Sequence, residues 1–205
     1  MVKLWGRRTS SNVQKVLWCL DELGLRYEQV DLGGPFGGNR DPAYLALNPN
    51  GLVPTLEEDG NVVWESNTIV RYLASRYGAA RLWPLDSATR ALTERWMDWQ
   101  ISSLAPVNTL FMGYVRTPED QRDHAALAVA QDQAAAQWTV LNAHLAGRRF
   151  VAGEQFTMGD IPVGIQAWRW LNLPIQRPDL PALAAWAGRL GERPAYQTHV
   201  ALPLV

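Results

Sequence analysis

The chain has 205 residues, 19 Lys and Arg against 20 Asp and Glu, and a formal net charge of −1. At roughly 150 residues per domain there is room for one domain or two small ones, and 47% hydrophobic with 19% charged content excludes a disordered chain. Residues 1–80 carry 8 basic and 9 acidic side chains and residues 81–205 carry 11 of each, which excludes a nucleic-acid-binding arm or an acidic tail. Any anion must therefore be held by a local site. The one cysteine, Cys19, rules out an intrachain disulfide, a Cys-x-x-Cys pair and a thiolate zinc cluster, and it fits a reducing compartment. The N-terminus lacks the apolar stretch of a signal peptide, and nothing approaches about 18 consecutive apolar residues. A soluble cytoplasmic protein is expected, with no nucleic-acid or membrane partner. Ten tryptophans imply a core or cleft rich in flat aromatic surface.

In chain order, Val2–Trp5 reads as a strand and Gly6–Asn12 as a turn. A helix follows, with Val13, Val16, Leu17, Leu20 and Leu23 at helical spacing and Gly24 as its stop. Tyr27–Leu32 is a second strand and Gly33–Arg40 a glycine-rich loop. A short helix starts at Asp41, with Pro42 in its first position. Val53–Glu57, the hairpin pair Asp59-Gly60 and Asn61–Trp64 make two more strands. A helix over Glu65–Tyr77 then presents Ile69, Tyr72, Leu73 and Tyr77 on one side. The order βαβαββα predicts a small mixed sheet with helices on its faces.

Beyond that unit the texture changes, from five alanines in residues 1–80 to 20 in residues 81–205. The seam falls at Gly78–Asp86, where Gly78 can stop a helix and Pro84 blocks its continuation. The expected organisation is an α/β domain over residues 1–80 and an all-α domain over residues 87–205. Helices are predicted at 87–115, 120–146, 158–172 and 179–190. Thr157-Met-Gly-Asp160 has the form of a capping box, the Thr hydroxyl and the Asp carboxylate each meeting a free backbone N–H. Pro162 should bend or loosen the turn that follows.

Three turns of the first unit carry chemistry. Thr9-Ser10-Ser11-Asn12 precedes a helix whose first N–H groups lack partners. One of these residues suffices as an N-cap, and the others are free to face an anion drawn to the helix terminus. In Asn48-Pro-Asn-Gly-Leu-Val-Pro-Thr-Leu56, a proline at the strand opening removes a ladder donor. The segment is either a plain turn into an edge strand, or a cis Pro54 that turns the Val53 backbone outward to pair with a peptide. At Trp64-Glu65-Ser66-Asn67, Glu65 and Ser66 either cap the next helix or receive the ammonium and carboxylate of an amino acid.

In this order, the three turns resemble the glutathione site of the glutathione S-transferase superfamily, on its thioredoxin-like N-terminal domain. Val13-Gln-Lys-Val-Leu-Trp18 with Asp21–Leu25 is similar to the family's first helix. Asn48–Gly51, Val53-Pro54, Glu65-Ser66, Ile69 and Tyr72-Leu73 are similar to its later signatures. Phe150–Gly153 through Phe156–Ile161 is similar to a capping segment of its helical C-terminal domain. The resemblance covers essentially the whole chain. It implies that glutathione is a co-substrate, that Val53 pairs with its cysteinyl part next to Pro54, and that Glu65 and Ser66 hold its γ-glutamyl end. Counting back from Gln14-Lys15-Val16 places the catalytic serine of serine-type members at Ser10, with Ser11 and Asn12 as neighbouring candidates. Two positions depart from the family pattern. Leu52 stands where a basic or amide residue is common, leaving Asn50 or Arg40 to grip the glycyl end, and Trp5 stands where tyrosine-type members carry tyrosine.

Cys19 lies about two turns too far along its helix to have a thiol pKa lowered from about 8.5 by the helix terminus, and reads as a small buried apolar residue. His124, His144 and His199 are scattered, so no metal is expected. The Gly33–Gly38 loop lacks the lysine and helix context of a phosphate cradle and reads as a mobile edge of the ligand site. The implied activity is conjugation of the glutathione thiolate to a small hydrophobic electrophile. The alternatives are a glutathione-dependent isomerase, dehalogenase or disulfide reductase, or a non-catalytic glutathione-binding relative. Trp99, Val107, Phe111, Met112 and Tyr114 are the candidate electrophile pocket. A homodimer is expected, with Arg71, Tyr72, Arg90 and Glu94 at the contact.

Overall fold

The computed structural model describes residues 1–205. Four strands, β1 (Val2–Trp5), β2 (Tyr27–Val30), β3 (Thr55–Glu58) and β4 (Asn61–Trp64), form one sheet in the order β2-β1-β3-β4. β1 runs parallel to β2 and antiparallel to β3, pairing Leu4 with Gln29 on one side and with Leu56 on the other. The β3–β4 hairpin turns at Asp59 and Gly60, which take φ of 51° and 83°. Both turn residues lie at positive φ, as the two-residue hairpin requires.

Three helices belong to this unit: α1 (Ser11–Leu23), α2 (Pro42–Leu45) and α3 (Ser66–Tyr77). α1 is the most buried of them, with Lys15 through Leu20 all inaccessible, and it ends at Gly24, whose φ of 67° lets its N–H reach the Leu20 and Asp21 carbonyls. This is the left-handed cap that glycine accepts without strain. Cys19 is fully buried against Val70, and burial pushes its thiol well above the usual range.

The rest of the chain is helical: α4 (Ser87–Ser103), α5 (Ala105–Phe111), α6 (His124–Leu145), α7 (Asp160–Asn172), α8 (Pro181–Gly191) and α9 (Pro194–His199). The single helix expected over 87–115 is broken at Leu104. Pro106 has no N–H to give the Ser102 carbonyl and its ring would clash with it, so α4 ends and α5 starts afresh with Pro106 in its first turn, continuing into a π-helical turn over Met112–Arg116. α9 was absent from the expected elements, and it matters because it clamps α1. The Arg193 guanidinium donates twice to the Glu22 carboxylate, at 2.7 and 2.6 Å, and His199 meets Asp21 at 2.7 Å. Trp18 of α1 packs on Phe156 and Tyr196, with ring centres 5.5 and 5.0 Å apart. α1 is thus the spine shared by the two halves.

Before α7, Asp160 accepts from the Thr157 N–H at 3.0 Å, as a capping box requires. The Thr157 hydroxyl, however, turns to the Asp160 carboxylate at 3.3 Å rather than to a backbone N–H. Pro162 falls at the third helical position, where a missing N–H removes no intrahelical bond, and the helix runs on through it. The tryptophans serve the core: Trp18, Trp138, Trp170 and Trp186 are fully buried.

Candidate active site

The end of β1, the start of α1 and the loop before β3 meet at one point. A side chain at Gly6 would stand 2.5 Å from Val13 and 3.1 Å from Val53, so only glycine permits this approach. The Val53–Pro54 bond is cis. Neither the N–H nor the C=O of Val53 is hydrogen-bonded within the protein, which leaves a free donor and acceptor for an extended peptide. The loop that presents them is tied down from behind. Tyr44 donates its hydroxyl to the Leu52 carbonyl at 2.6 Å, and the Asn48 amide donates to the same carbonyl at 2.9 Å and to Thr55 at 3.1 Å.

Ser10 holds the N-cap position of α1 without using it: its side chain makes no capping bond. The Ser10 and Ser11 hydroxyls have no partner in the protein, and both face a cleft of about 560 Å³ whose walls also include Thr9, Pro35, Asn108 and Met112. The free hydroxyls and the unpaired first N–H groups of α1 make this corner a favourable place for an anion.

Asn12 faces a different neighbour, accepting from the Ser66 hydroxyl at 3.3 Å. Ser66 begins α3 after Glu65, whose φ of 71° is a strained conformation for a residue with a side chain. Beneath them lies Lys15, 2% exposed, donating to Gln100 of α4 at 2.8 Å and to Ser66 at 3.4 Å. Burial outweighs the attraction of Glu65 and, with the like charge of Arg169, lowers the Lys15 ammonium to about 7.

Arg40 and Asn50 sit together on the exposed rim, Arg40 donating to the Asn50 carbonyl at 3.4 Å, and Leu52 between them and Val53 is 60% exposed. At the place of a tyrosine, Trp5 donates its indole N–H to Glu57 at 2.5 Å. Of the five pocket candidates, Phe111 and Met112 line the Ser10 cleft. Val107 is wholly buried in the core. Trp99 packs edge-on against Trp96 and Trp138 and borders a separate depression with Arg95 and His144. Tyr114 lies under the Arg122 guanidinium. Gly34 and Pro35 bring the glycine loop to the cleft edge.

Sequence reasoning missed Lys15, Gln100, Asn108 and the cleft arginines Arg7, Arg116 and Arg169. The available signal was a charged residue inside an apolar helical stretch, as in Lys15-Val-Leu-Trp-Cys-Leu20 and Ile165-Gln-Ala-Trp-Arg169-Trp-Leu171. No group of three or more His, Cys, Asp or Glu side chains is placed to hold a metal ion, and no helix is long and apolar enough to cross a membrane.

The models of the glutathione S-transferase N-terminal and C-terminal domains match residues 4–81 and 106–194. The chain belongs to the glutathione S-transferase family. It is 43% identical over 207 residues to glutathione S-transferase GstB of Escherichia coli strain K12, covering the full length of both chains. It is 32% identical over 216 residues to glutathione S-transferase 3 of Zea mays, covering 99% of this chain and 95% of that one. Among solved structures it matches the theta class glutathione S-transferase of Xanthomonas axonopodis pv. citri with glutathione bound. That match has a TM-score of 0.95 and 52% identity, and covers 100% of this chain and 99% of that one. The sheet unit is accordingly the family's thioredoxin-like domain, and the helices after it are the family's C-terminal domain.

Proposed function

We propose that this protein is a glutathione transferase, joining the glutathione sulfur to a small hydrophobic electrophile. The observation that carries the reading is the pair of partnerless hydroxyls at the start of α1, beside the free Val53 backbone and the first turn of α3. Free glutathione is mostly thiol at neutral pH, and the thiolate is the nucleophile. A hydroxyl donor from Ser10, backed by the N-terminus of α1, favours the anion. A tenfold gain in thiolate fraction needs only ~1.4 kcal/mol, within reach of one charge-assisted hydrogen bond. Ser10 then stabilises the thiolate and forms no bond to carbon, with Ser11 beside it and Asn12 orienting Ser66. Holding the electrophile next to the sulfur supplies much of the remaining rate.

In this reading the division of labour follows residues 1–80, which hold glutathione, and residues 87–205, which supply the electrophile pocket through Phe111 and Met112. Val53 and Pro54 present the backbone to the cysteinyl part, Glu65 and Ser66 take the γ-glutamyl ammonium and carboxylate, and Arg40 and Asn50 reach the glycyl end. Lys15 lies behind Ser66 and donates to its hydroxyl. The protein works in the cytoplasm.

The test is the affinity for glutathione in Ser66→Ala and Glu65→Ala, by calorimetry. Each loses a charged hydrogen bond, so a loss of roughly 1.5–3 kcal/mol is expected. Unchanged affinity in both variants overturns the assignment.

A homodimer is part of the proposal. Val62, Trp64, Tyr77 and Leu92 leave apolar surface exposed on β4, α3 and α4, beside Arg71, which is paired with Glu94 and Asp98, and near Tyr72 and Arg90. Light scattering at micromolar concentration should give twice the chain mass of 22.9 kDa. A monomer mass rejects it.

A further inference from the structure

Three arginines and no Asp or Glu side chain line the Ser10 cleft, which also holds Val205. Arg7 comes from the turn after β1, where it lies across Gly34, at which any side chain would collide with its guanidinium. Arg116 comes from the π-helical turn after α5, and Arg169 from the middle of α7. None of the three pairs with an Asp or Glu side chain. Arg169 is only 8% exposed, yet its one hydrogen-bond partner is the neutral Asn108 side-chain oxygen at 3.2 Å. Its guanidinium lies 3.9 Å from the centre of the Phe111 ring, and Arg116 approaches the same ring at 5.7 Å while donating to the Val205 oxygen.

A guanidinium has five donors, and on Arg169 one nitrogen, Nη1, has a hydrogen-bond partner in the protein. Burial and the nearby charge of Arg116 bring Arg169 down to about 10, which leaves it a cation at neutral pH. A buried cation beside a second cation, with no acidic side chain to pair it, is costly until an anion arrives. The cleft holds Ser10 but none of Val53, Glu65 and Ser66, so the arginines stand beside the group proposed to meet the sulfur, not beside those proposed for the γ-glutamyl and cysteinyl parts. An apolar recess of about 240 Å³, walled by Ile165, Trp168, Leu202 and Leu204, opens from the same corner and shares Phe111 and Arg169 with the cleft.

We infer that the second substrate is an organic anion: an apolar electrophile whose carboxylate is received by Arg169, with Arg7 and Arg116 adding to the positive field and the recess receiving its body. This rests on the transferase reading above. A planar carboxylate matches the guanidinium fork, with two parallel N–H···O bonds.

The test compares 4-chloro-3-nitrobenzoate with its neutral counterpart 4-chloro-3-nitrobenzamide. In both, the glutathione sulfur bonds to the ring carbon that bears chlorine, chloride leaves with the bonding electron pair, and the thiol proton passes to solvent. Each kcat/KM is divided by the uncatalysed rate constant with glutathione, because the two rings differ in intrinsic reactivity. The wild type should favour the benzoate at least tenfold. Arg169→Met should abolish that preference, the benzoate rate falling at least tenfold further than the benzamide rate, and leave glutathione affinity intact. Arg116→Gln, at an exposed position, should lower the preference at least threefold, and it serves as the second variant if Arg169→Met does not fold. Turnover of both compounds without preference overturns the inference alone. So does an equal loss on both substrates in Arg169→Met, or weakened glutathione binding in that variant. Absence of turnover with either compound, in a protein that still binds glutathione, overturns the inference alone, whereas absence of glutathione binding overturns the transferase reading and the inference with it.

Discussion

Asp160→Ala is expected to remove ~4 kcal/mol of stability, a large part of what a domain has to lose. Asp160 is fully buried and accepts four hydrogen bonds: from the Val151 N–H at 3.0 Å, the Thr157 N–H at 3.0 Å, the Thr157 hydroxyl at 3.3 Å and the Trp186 indole at 2.9 Å. Val151, Thr157 and Trp186 are themselves buried, so truncation strands four donors away from water, each at about 1–3 kcal/mol before relaxation. At a length of 205 residues the midpoint of thermal unfolding should fall by roughly 10 °C. Asp160→Asn should lose less, because one amide oxygen still accepts. Burial drives the Asp160 carboxyl up from 3.8 to about 6, the four donors pulling the other way. A carboxyl raised by folding is still protonated in the folded chain where the unfolded chain has ionised, so the unfolded state gains stability as pH rises. The stability advantage of wild type over Asp160→Asn should therefore shrink between about pH 4 and pH 6. A flat difference across that window rejects the assignment, and an Asp160→Ala loss under ~1 kcal/mol rejects the buried network.

The sheet unit was legible because its signals are local. Strand β1 over Val2–Trp5, strand β4 over Asn61–Trp64 and the Gly24 stop stand where periodicity and turn chemistry put them. The Val53–Pro54 link was legible only as two alternatives, a plain turn or a cis bond, and the structure takes the cis form. What failed was anything decided by a distant element. The period of 87–115 is continuous as a pattern, and only the backbone cost of Pro106 breaks it at Leu104. α9 is six residues long, too short to announce itself by period, and it is held by Glu22 and Asp21 some 170 positions earlier. The Ser10 cleft is the extreme case. Helical spacing predicts which face of α4 or α5 is apolar, so it singled out Trp99 and Val107 together with Phe111. It cannot say that Arg169 of α7 faces Ser10, because that follows from how α1 packs between the two halves. Lys15 was hidden likewise: it reads as a solvated helix residue until Gln100 of α4 covers it.

Ser10→Ala should raise the pKa of glutathione's bound thiol by about one unit or more, with glutathione affinity nearly unchanged because the γ-glutamyl anchors at Glu65 and Ser66 remain. Loss of one charge-assisted hydrogen bond to the thiolate is worth ~1.5–3 kcal/mol, which is one to two units of titration. Conjugation at neutral pH should fall at least tenfold and recover partly as rising pH ionises the thiol without help. The rival role, a helix cap, carries a different signature: ~1 kcal/mol of lost stability with the thiol unmoved. Because the Ser10 side chain makes no capping bond, the stability of Ser10→Ala should instead stay within ~0.5 kcal/mol of wild type, as for a substitution that breaks no contact. Ser11→Ala separates the two hydroxyls of the cleft, and a thiol shift in that variant alone moves the donor one position along. Asn12→Ala should behave differently from both. Its side chain accepts from Ser66, so its loss should weaken glutathione binding and leave the thiol's titration where it was. Ultraviolet titration of the bound thiolate in the three variants separates these outcomes. Absence of a shift in all three assigns the thiolate to the N-terminus of α1 acting through its backbone N–H groups.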